Sequence, residues 1–329
     1  MAEPILPNNM CIDTYINKQP KSTLLDSIVN FINKYDRTAT GNYTLISPNI
    51  IDRMYQSKTF CCILRDITSM NEIYGVVFSL IHRCEIEGKI TNSSYTTYLC
   101  IHPDHRSRGC ALALINTMKQ SGYPLNIKHG YYTSAVSRSE VSLPIKSWYR
   151  PINVFTAKYA GFNIKTDAKS QTRSKLLYRI PKLELSVEKA DTSHYFLAKD
   201  ILKRTPAVIK YQPTKKGWKS FTRTFDVYIV GDSSIFALFP LEIMISKTHR
   251  TVKIAQLSLS VGNIEEILTA ALYISKESDY DLLHGNIMSN ITAEALDKIN
   301  ASISTAENYL EFYNSESGIT IDKFSMPLH

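Results

Sequence analysis

Residues 97–121 read TYLCIHPDHRSRGCALALINTMKQS, and their types suit the holding of a pyrophosphate. Within the stretch, Arg106-x-x-Gly109-x-Ala111 combines positive charge with a glycine and a small residue. Small residues let main-chain N–H groups close on a ligand, and a helix starting there turns its positive end to the same point. Six letters alone fit a solvated strand–helix turn equally well. Their setting, after a strand and at the opening of a helix, favours the phosphate. Two other chemistries are weaker. His102-x-x-His105 with Asp104 has zinc-ligand types, but one short cluster without a second does not make a metal site. Cys100 and Cys110 lack an evident histidine–carboxylate partnership and read as structural thiols.

The elements that must position this loop follow from local pattern. Residues 98–101 are aromatic, aliphatic or thiol, as in a buried strand, and Pro103 and Asp104 stop it. Ala111, Leu114, Ile115 and Met118 recur at helical spacing, and Gly122 ends that helix. Upstream, residues 23–35 form a helix with Leu24, Leu25, Ile28, Phe31 and Ile32 on one face. Ser47 and Pro48 cap and open a second. Residues 60–64 and 73–81 read as a hairpin, 130–136 as a strand, and 159–164 as a turn and short strand. Downstream, a helix at 192–203, a hairpin at 225–230 and 234–241, a strand at 253–261, a helix at 264–275 and a strand at 280–284 follow. A short helix at 293–299 and a strand at 309–313 come last. A hairpin followed by strand–helix–strand therefore occurs twice, over 73–136 and 225–284. The second copy has only Gly262-Asn263 where the first has its arginine loop. Pattern alone supports an α/β fold of about two domains.

The motifs resemble one family in order and spacing. Tyr98-Leu99-Cys100-Ile101-His102 followed by Arg106-Ser107-Arg108 resembles the F-L-C-V-H-x-x-x-R-S-K stretch of eukaryotic N-myristoyltransferases. Glu3-Pro4 with Leu6-Pro7, Ser47-Pro48, Tyr132-Thr133, and Trp148-Tyr149-Arg150 with Asn153 resemble further blocks in the same order. So do Gly161-Phe162 and Leu177-Tyr178-Arg179-Ile180-Pro181. The last eight residues, Asp322 onward, resemble the family's E-K-V-G-L-V-L-Q ending. The resemblance covers nearly the whole chain.

It implies two tandem GNAT-like halves, each a mixed sheet flanked by helices, related by a pseudo-twofold axis. Residues 1–180 would bind acyl-CoA; residues 181–329 would bind peptide and carry the terminal carboxylate. The activity implied is transfer of a myristoyl (tetradecanoyl) group from myristoyl-CoA to the N-terminal glycine amine of protein substrates. The alternatives are another acyl chain or amine, or a non-catalytic binder of acyl-CoA or peptide. By the same resemblance, main-chain N–H groups of Tyr98 and Leu99 form the oxyanion site. Tyr98, Leu99, Cys100, Ile101, Arg106, Ser107, Arg108, Gly109, Cys110 and Ala111 hold the acyl-CoA. Tyr132, Thr133, Tyr149 and His284 contact the peptide, and the carboxylate of His329 takes the amine's proton. No metal is implied. The family's acidic loop after the first helix is here reduced to Asp36 beside Arg37.

Composition sets outer bounds. A length of 329 residues suits one large domain or two packed ones, and 44% hydrophobic residues is ordinary for a globular chain. No apolar run is long enough for a spanning helix. The opening MAEPILPNNM has neither a basic lead nor an apolar core, so no secretory signal is expected. Six cysteines confined to the first third, without C-x-x-C spacing, fit reduced thiols in a cytoplasmic protein. The net charge of +8 is spread out, with Lys203, Arg204, Lys215, Lys216 and Lys219 the nearest to a patch. That fits a solvated face, with peripheral membrane contact the milder alternative, and no nucleic-acid module is present. A monomer is expected.

Overall fold

The computed structural model describes residues 9–37, 41–69, 72–137, 141–162, 164, 171–313 and 320–328. In chain order the first half runs β1 (Met10–Ile16), α1 (Ser22–Tyr35), β2 (Tyr43–Thr44), α2 (Pro48–Tyr55), β3 (Lys58–Asp66), β4 (Ile73–Ile86) and β5 (Lys89–Ile101). It continues with α3 (Cys110–Gly122), β6 (Ile127–Ser134), β7 (Ser142–Pro151), α4 (Val154–Tyr159) and α5 (Gln171–Leu177). The second half runs β8 (Val187–Lys189), α6 (Tyr195–Lys203), β9 (Ile209–Tyr211), α7 (Lys215–Thr224), β10 (Asp226–Val230), β11 (Ser234–Ile245) and β12 (Arg250–Val261). Then come α8 (Ile264–Glu277), β13 (Leu282–Asn286), α9 (Ala293–Lys298), β14 (Ser302–Tyr313) and β15 (Phe324–Ser325).

Two copies of one unit are evident in the pairing. In the first, β3, β4 and β5 are antiparallel neighbours, α3 crosses over, and β6 returns parallel to β5. In the second, β10, β11 and β12 are antiparallel, α8 crosses over, and β13 returns parallel to β12. The copies then exchange their last strands. The central order is β5-β6-β14-β7-β13-β12, so β14 lies between β6 and β7 while β7 lies between β14 and β13. Swapping the copies and reversing this order returns the same order, which is the signature of a pseudo-twofold axis. One sheet thus runs unbroken across residue 180.

Both faces of the sheet are covered, and the strand sequences reflect it. Phe60, Cys62 and Leu64 of β3 pack with Cys110, Leu114 and Met118 of α3. The alternating Cys61 and Ile63 belong instead to a core that includes Ile28 and Ile32 of α1 and Trp218 and Phe221 of α7. A strand buried on both faces reads as a continuous apolar run rather than an alternation. The α8 helix buries Ile267, Leu268, Ala271 and Leu272 against β11–β13.

Ahead of the turn and short strand expected at 159–164, a helix without an expected counterpart occupies residues 154–159. They form α4, because the Asn153 side-chain oxygen accepts from Thr156 N–H at 3.3 Å as a cap. Gly161, at φ +82°, then turns the chain so that Phe162 N–H reaches the Ala157 carbonyl at 3.1 Å. No described helix is long and apolar enough to cross a membrane.

Candidate active site

Strand β5, where the sequence resemblance puts the thioester site, leaves regular pairing on both edges. On the β4 side, Val76 faces Cys100 and Phe78 faces Thr97, so Tyr98 and Leu99 stand together opposite Val77. This bulge is held by Tyr98 at φ +51°, a left-handed conformation uncommon outside glycine. On the β6 side, parallel pairing runs from Asn92↔Ile127 only as far as Thr96↔Tyr132. From Thr97 onward β5 therefore diverges from β6 and opens a wedge beside the bulge. A bulge of this kind withdraws main-chain N–H groups from the ladder, and such freed donors can serve a developing oxyanion. The Tyr98 side chain packs against the main core, and its buried hydroxyl has no hydrogen-bond partner among the described residues.

The loop after β5 is built from glycine-like backbone. Ser107 has φ +61° and Gly109 φ +78°, so two left-handed residues alternate with ordinary ones before α3. Gly109 is the N-cap, and no side chain caps α3. The leading N–H groups of α3 are thus presented to whatever binds the loop, together with the positive end of the helix dipole. Arg108 is exposed beside them. Arg106 is committed elsewhere: its Nε donates to the Ile101 carbonyl at 3.1 Å and one terminal nitrogen to the Tyr35 carbonyl at 3.0 Å. It therefore ties the end of α1 to the end of β5. His102 Nε2 lies 3.0 Å from the Tyr35 hydroxyl and reinforces the same junction. Tyr35 has no motif of its own, and these contacts with Arg106 and His102 reveal its part.

Burial pushes the Cys100 thiol up to about 12 and raises that of Cys110 as well. Both stay protonated near neutral pH and supply no thiolate. Among the described residues no group of three histidine, cysteine or acidic side chains converges as a metal site.

Tyr132 and Thr133 lie one strand from β5, on β6, where Tyr132 stands between Thr96 of β5 and Glu311 of β14. Tyr149 and His284 lie abreast on β7 and β13, in one cross-strand row with Gln256 of β12. Tyr149 also packs its ring against Phe162, centroids 5.1 Å apart. Burial pushes the His284 imidazole down to about 4, so it is neutral at physiological pH. The neighbouring Trp148 and Arg150 are structural. Trp148 lies over Gly285, where an added Cβ would come within 2.9 Å of the indole. Arg150 is buried, donates to the Ile299 and Pro151 carbonyls, and stacks 4.7 Å over Tyr178.

The end of the described chain reaches the same region. Phe324 and Ser325 pair with β9, and Phe324, Met326 and Leu328 are fully buried. The Tyr131 hydroxyl donates to the Pro327 carbonyl at 3.1 Å. Leu328 donates its N–H to the Ser258 carbonyl at 3.0 Å, and its own carbonyl lies 3.5 Å from Gln256 Nε2. Tyr131, Gln256 and Ser258 had no sequence signal, since each acts through a partner far along the chain. His329 lies outside the described residues.

Two copies of one unit, three antiparallel strands followed by a crossover helix and a parallel strand, with β5 leaving β6 and an uncapped helix following it in the first, define the class of fold. The chain resembles N-myristoyltransferases in both sequence and structure. It is 23% identical over 238 residues to a glycylpeptide N-tetradecanoyltransferase of Dictyostelium discoideum. That match spans 66% of this chain and 57% of the relative, so it covers little more than half of the relative's length. A Saccharomyces cerevisiae N-myristoyltransferase solved with bound myristoyl-CoA superposes with TM-score 0.81 at 13% identity, covering 99% of this chain and 86% of that one. A second structure of that enzyme, with myristoyl-CoA and inhibitors, gives TM-score 0.81 at 14% identity over 99% of this chain and 88% of that one. No protein-family model matches the sequence.

Proposed function

We propose that the protein is an N-acyltransferase that moves a myristoyl group from myristoyl-CoA to the N-terminal glycine amine of protein substrates. The observation that carries this reading is β5: a left-handed bulge at Tyr98–Leu99, an open wedge beside it, and an uncapped helix N-terminus after it. The Ser107–Ala111 main chain and Arg108 hold the pyrophosphate, with Arg106 as the strut that fixes the loop. The pantetheine runs into the wedge beside Cys100 and Ile101, and the bulge amides of Tyr98 and Leu99 receive the thioester oxygen. The amine nitrogen attacks the thioester carbon, the C–N bond forms, the C–S bond breaks, and coenzyme A leaves as its thiolate. No covalent enzyme intermediate arises, in keeping with thiols that stay protonated.

The glycine amine loses one proton for every turnover. An α-amine and an α-carboxylate differ by about four pKa units in water, and burial narrows that gap from both sides. The carboxylate of His329 is the proposed acceptor, supported by the burial of Leu328 against Ser258 and Gln256. Tyr132, Thr133, Tyr149 and neutral His284 line the path of the peptide. The protein acts as a cytoplasmic monomer.

The test is an assay with myristoyl-CoA and a panel of peptides, some beginning with glycine. Acylation of the glycine peptides alone supports the reading. Acylation of other amines, or with shorter acyl chains only, redirects it to a related transferase. Tight acyl-CoA binding without turnover reduces the protein to a binder.

A further inference from the structure

The second copy of the repeated unit has a cleft of its own. A cavity of about 330 Å³ opens where β12 passes into α8, the position that the pyrophosphate loop takes in the first copy. Ile201, Arg204 and Thr205, at the end of α6, form its other side. The copies match here as well, because in the first the end of α1 closes on the β5 loop through Arg106.

The phosphate cradle itself is missing from this copy. Gly262, at φ +113°, is pressed so closely on the β10–β11 turn that an added Cβ would lie 2.7 Å from the Ser233 carbonyl. Two N–H groups at the start of α8 are already used. Asn263 N–H donates to Ser234 Oγ at 3.0 Å, and Asn263 Oδ1 accepts from Glu265 N–H at 3.1 Å. Glu265 and Glu266 fill the first turn of the helix and repel a dianion.

What remains has the chemistry of a smaller ligand. Ile201, Ala207 and Val261 are buried and give the cavity an apolar floor. Thr205 is buried to nine-tenths, and its hydroxyl has no hydrogen-bond partner among the described residues. Buried polar atoms of this kind are rare unless something else satisfies them. Arg204 is exposed at the mouth and has no acidic partner among the described residues. Its planar fork matches a carboxylate. Ser260 and Asn290 are bonded to each other at 2.8 Å and make the remaining wall neutral.

We propose that this cavity is a second ligand site, for an aliphatic monocarboxylate whose head meets Arg204 and Thr205 and whose tail covers Ile201, Ala207 and Val261. The site lies on the second copy and does not depend on the acyl-transfer reading. The experiment titrates the protein, methyl-labelled at isoleucine and valine, with hexanoate, hexanamide and hexyl phosphate by NMR. Saturable shifts at Ile201 and Val261 with hexanoate are expected, at least tenfold weaker with the neutral amide and with the phosphate dianion. Arg204→Gln, an exposed change, and Thr205→Val should each weaken hexanoate tenfold or more while leaving the rest of the spectrum unchanged. Shifts confined to residues near β5, or hexanoate affinity unchanged in Arg204→Gln, would overturn the proposal. Equal binding of hexanamide would overturn the carboxylate assignment.

Discussion

Leu328 donates its main-chain N–H to the carbonyl of Ser258, 3.0 Å away. Ser258 is the extra residue where β12 bulges against β11, with Ala237 facing Leu259 and Leu238 facing Leu257. The bulge has a counterpart at Tyr98–Leu99, so the two copies share their defect and use it differently. In the first, β5 has an open wedge on its other edge; in the second, Leu328 bonds to the bulge itself.

If the carboxylate of His329 is the base, as proposed, a segment added after it turns that group into an amide and moves the new terminus away. Such an extended protein should bind myristoyl-CoA normally and turn over about 10²–10⁴-fold more slowly, the range of a positioned base. His329→Ala, which keeps the carboxylate, should retain most activity. Steady-state rates of the extended and unextended proteins decide it, and equal rates remove the tail from the proton path.

Gly109→Glu tests the loop. Its φ of +78° resists any side chain, and a carboxylate there would meet the phosphates. Calorimetry should find coenzyme A affinity reduced tenfold or more, about 1.4 kcal/mol, with the circular dichroism spectrum retained. Unchanged affinity would dissociate the loop from the phosphate.

Tyr98→Phe separates main chain from side chain. The hydroxyl is buried without a partner, so its loss should leave kcat within about twofold and stability equal or slightly higher. A tenfold fall in kcat would assign the hydroxyl a part in the reaction.

His82 should set part of the acid sensitivity. It is buried on β4, its Nε2 has no partner, and burial pushes the imidazole down to about 4 against about 6.5 when unfolded. Below about 6.5 the unfolded chain binds a proton that the folded one refuses, so stability falls as the pH drops toward 4. The full difference is about 3 kcal/mol by linkage. Urea unfolding at several pH values should show a shallower acid slope for His82→Leu, and an identical slope would exclude this histidine.

The local elements were legible because their signals are local. Residues 23–35 were expected as a helix and α1 is Ser22–Tyr35; residues 264–275 were expected and α8 is Ile264–Glu277. The loop on β5 was legible by glycine and arginine spacing. Less legible was α7, where Lys215, Lys216 and Lys219 read as a basic surface and masked Trp218 and Phe221 on its buried face. The bulge at Tyr98 gave no signal, since tyrosine has no bias toward positive φ. Strands β7 and β14 were the hardest: their pairing joins residues more than 150 positions apart, as at Ser302↔Tyr149, and no window contains both.

That exchange of strands also fixes when the molecule can fold during synthesis. One edge of β6 pairs with β14, and β7 pairs with β14 and β13. A nascent chain that has emerged only through α5 thus presents β6 and β7 as unpaired edges, with their partners not yet translated. Such edges invite pairing with other chains until covered. The first copy therefore waits for residues 302–313 before its sheet closes. Fragments cut between α5 and β8 should fold only when mixed, because each holds a strand that completes the other.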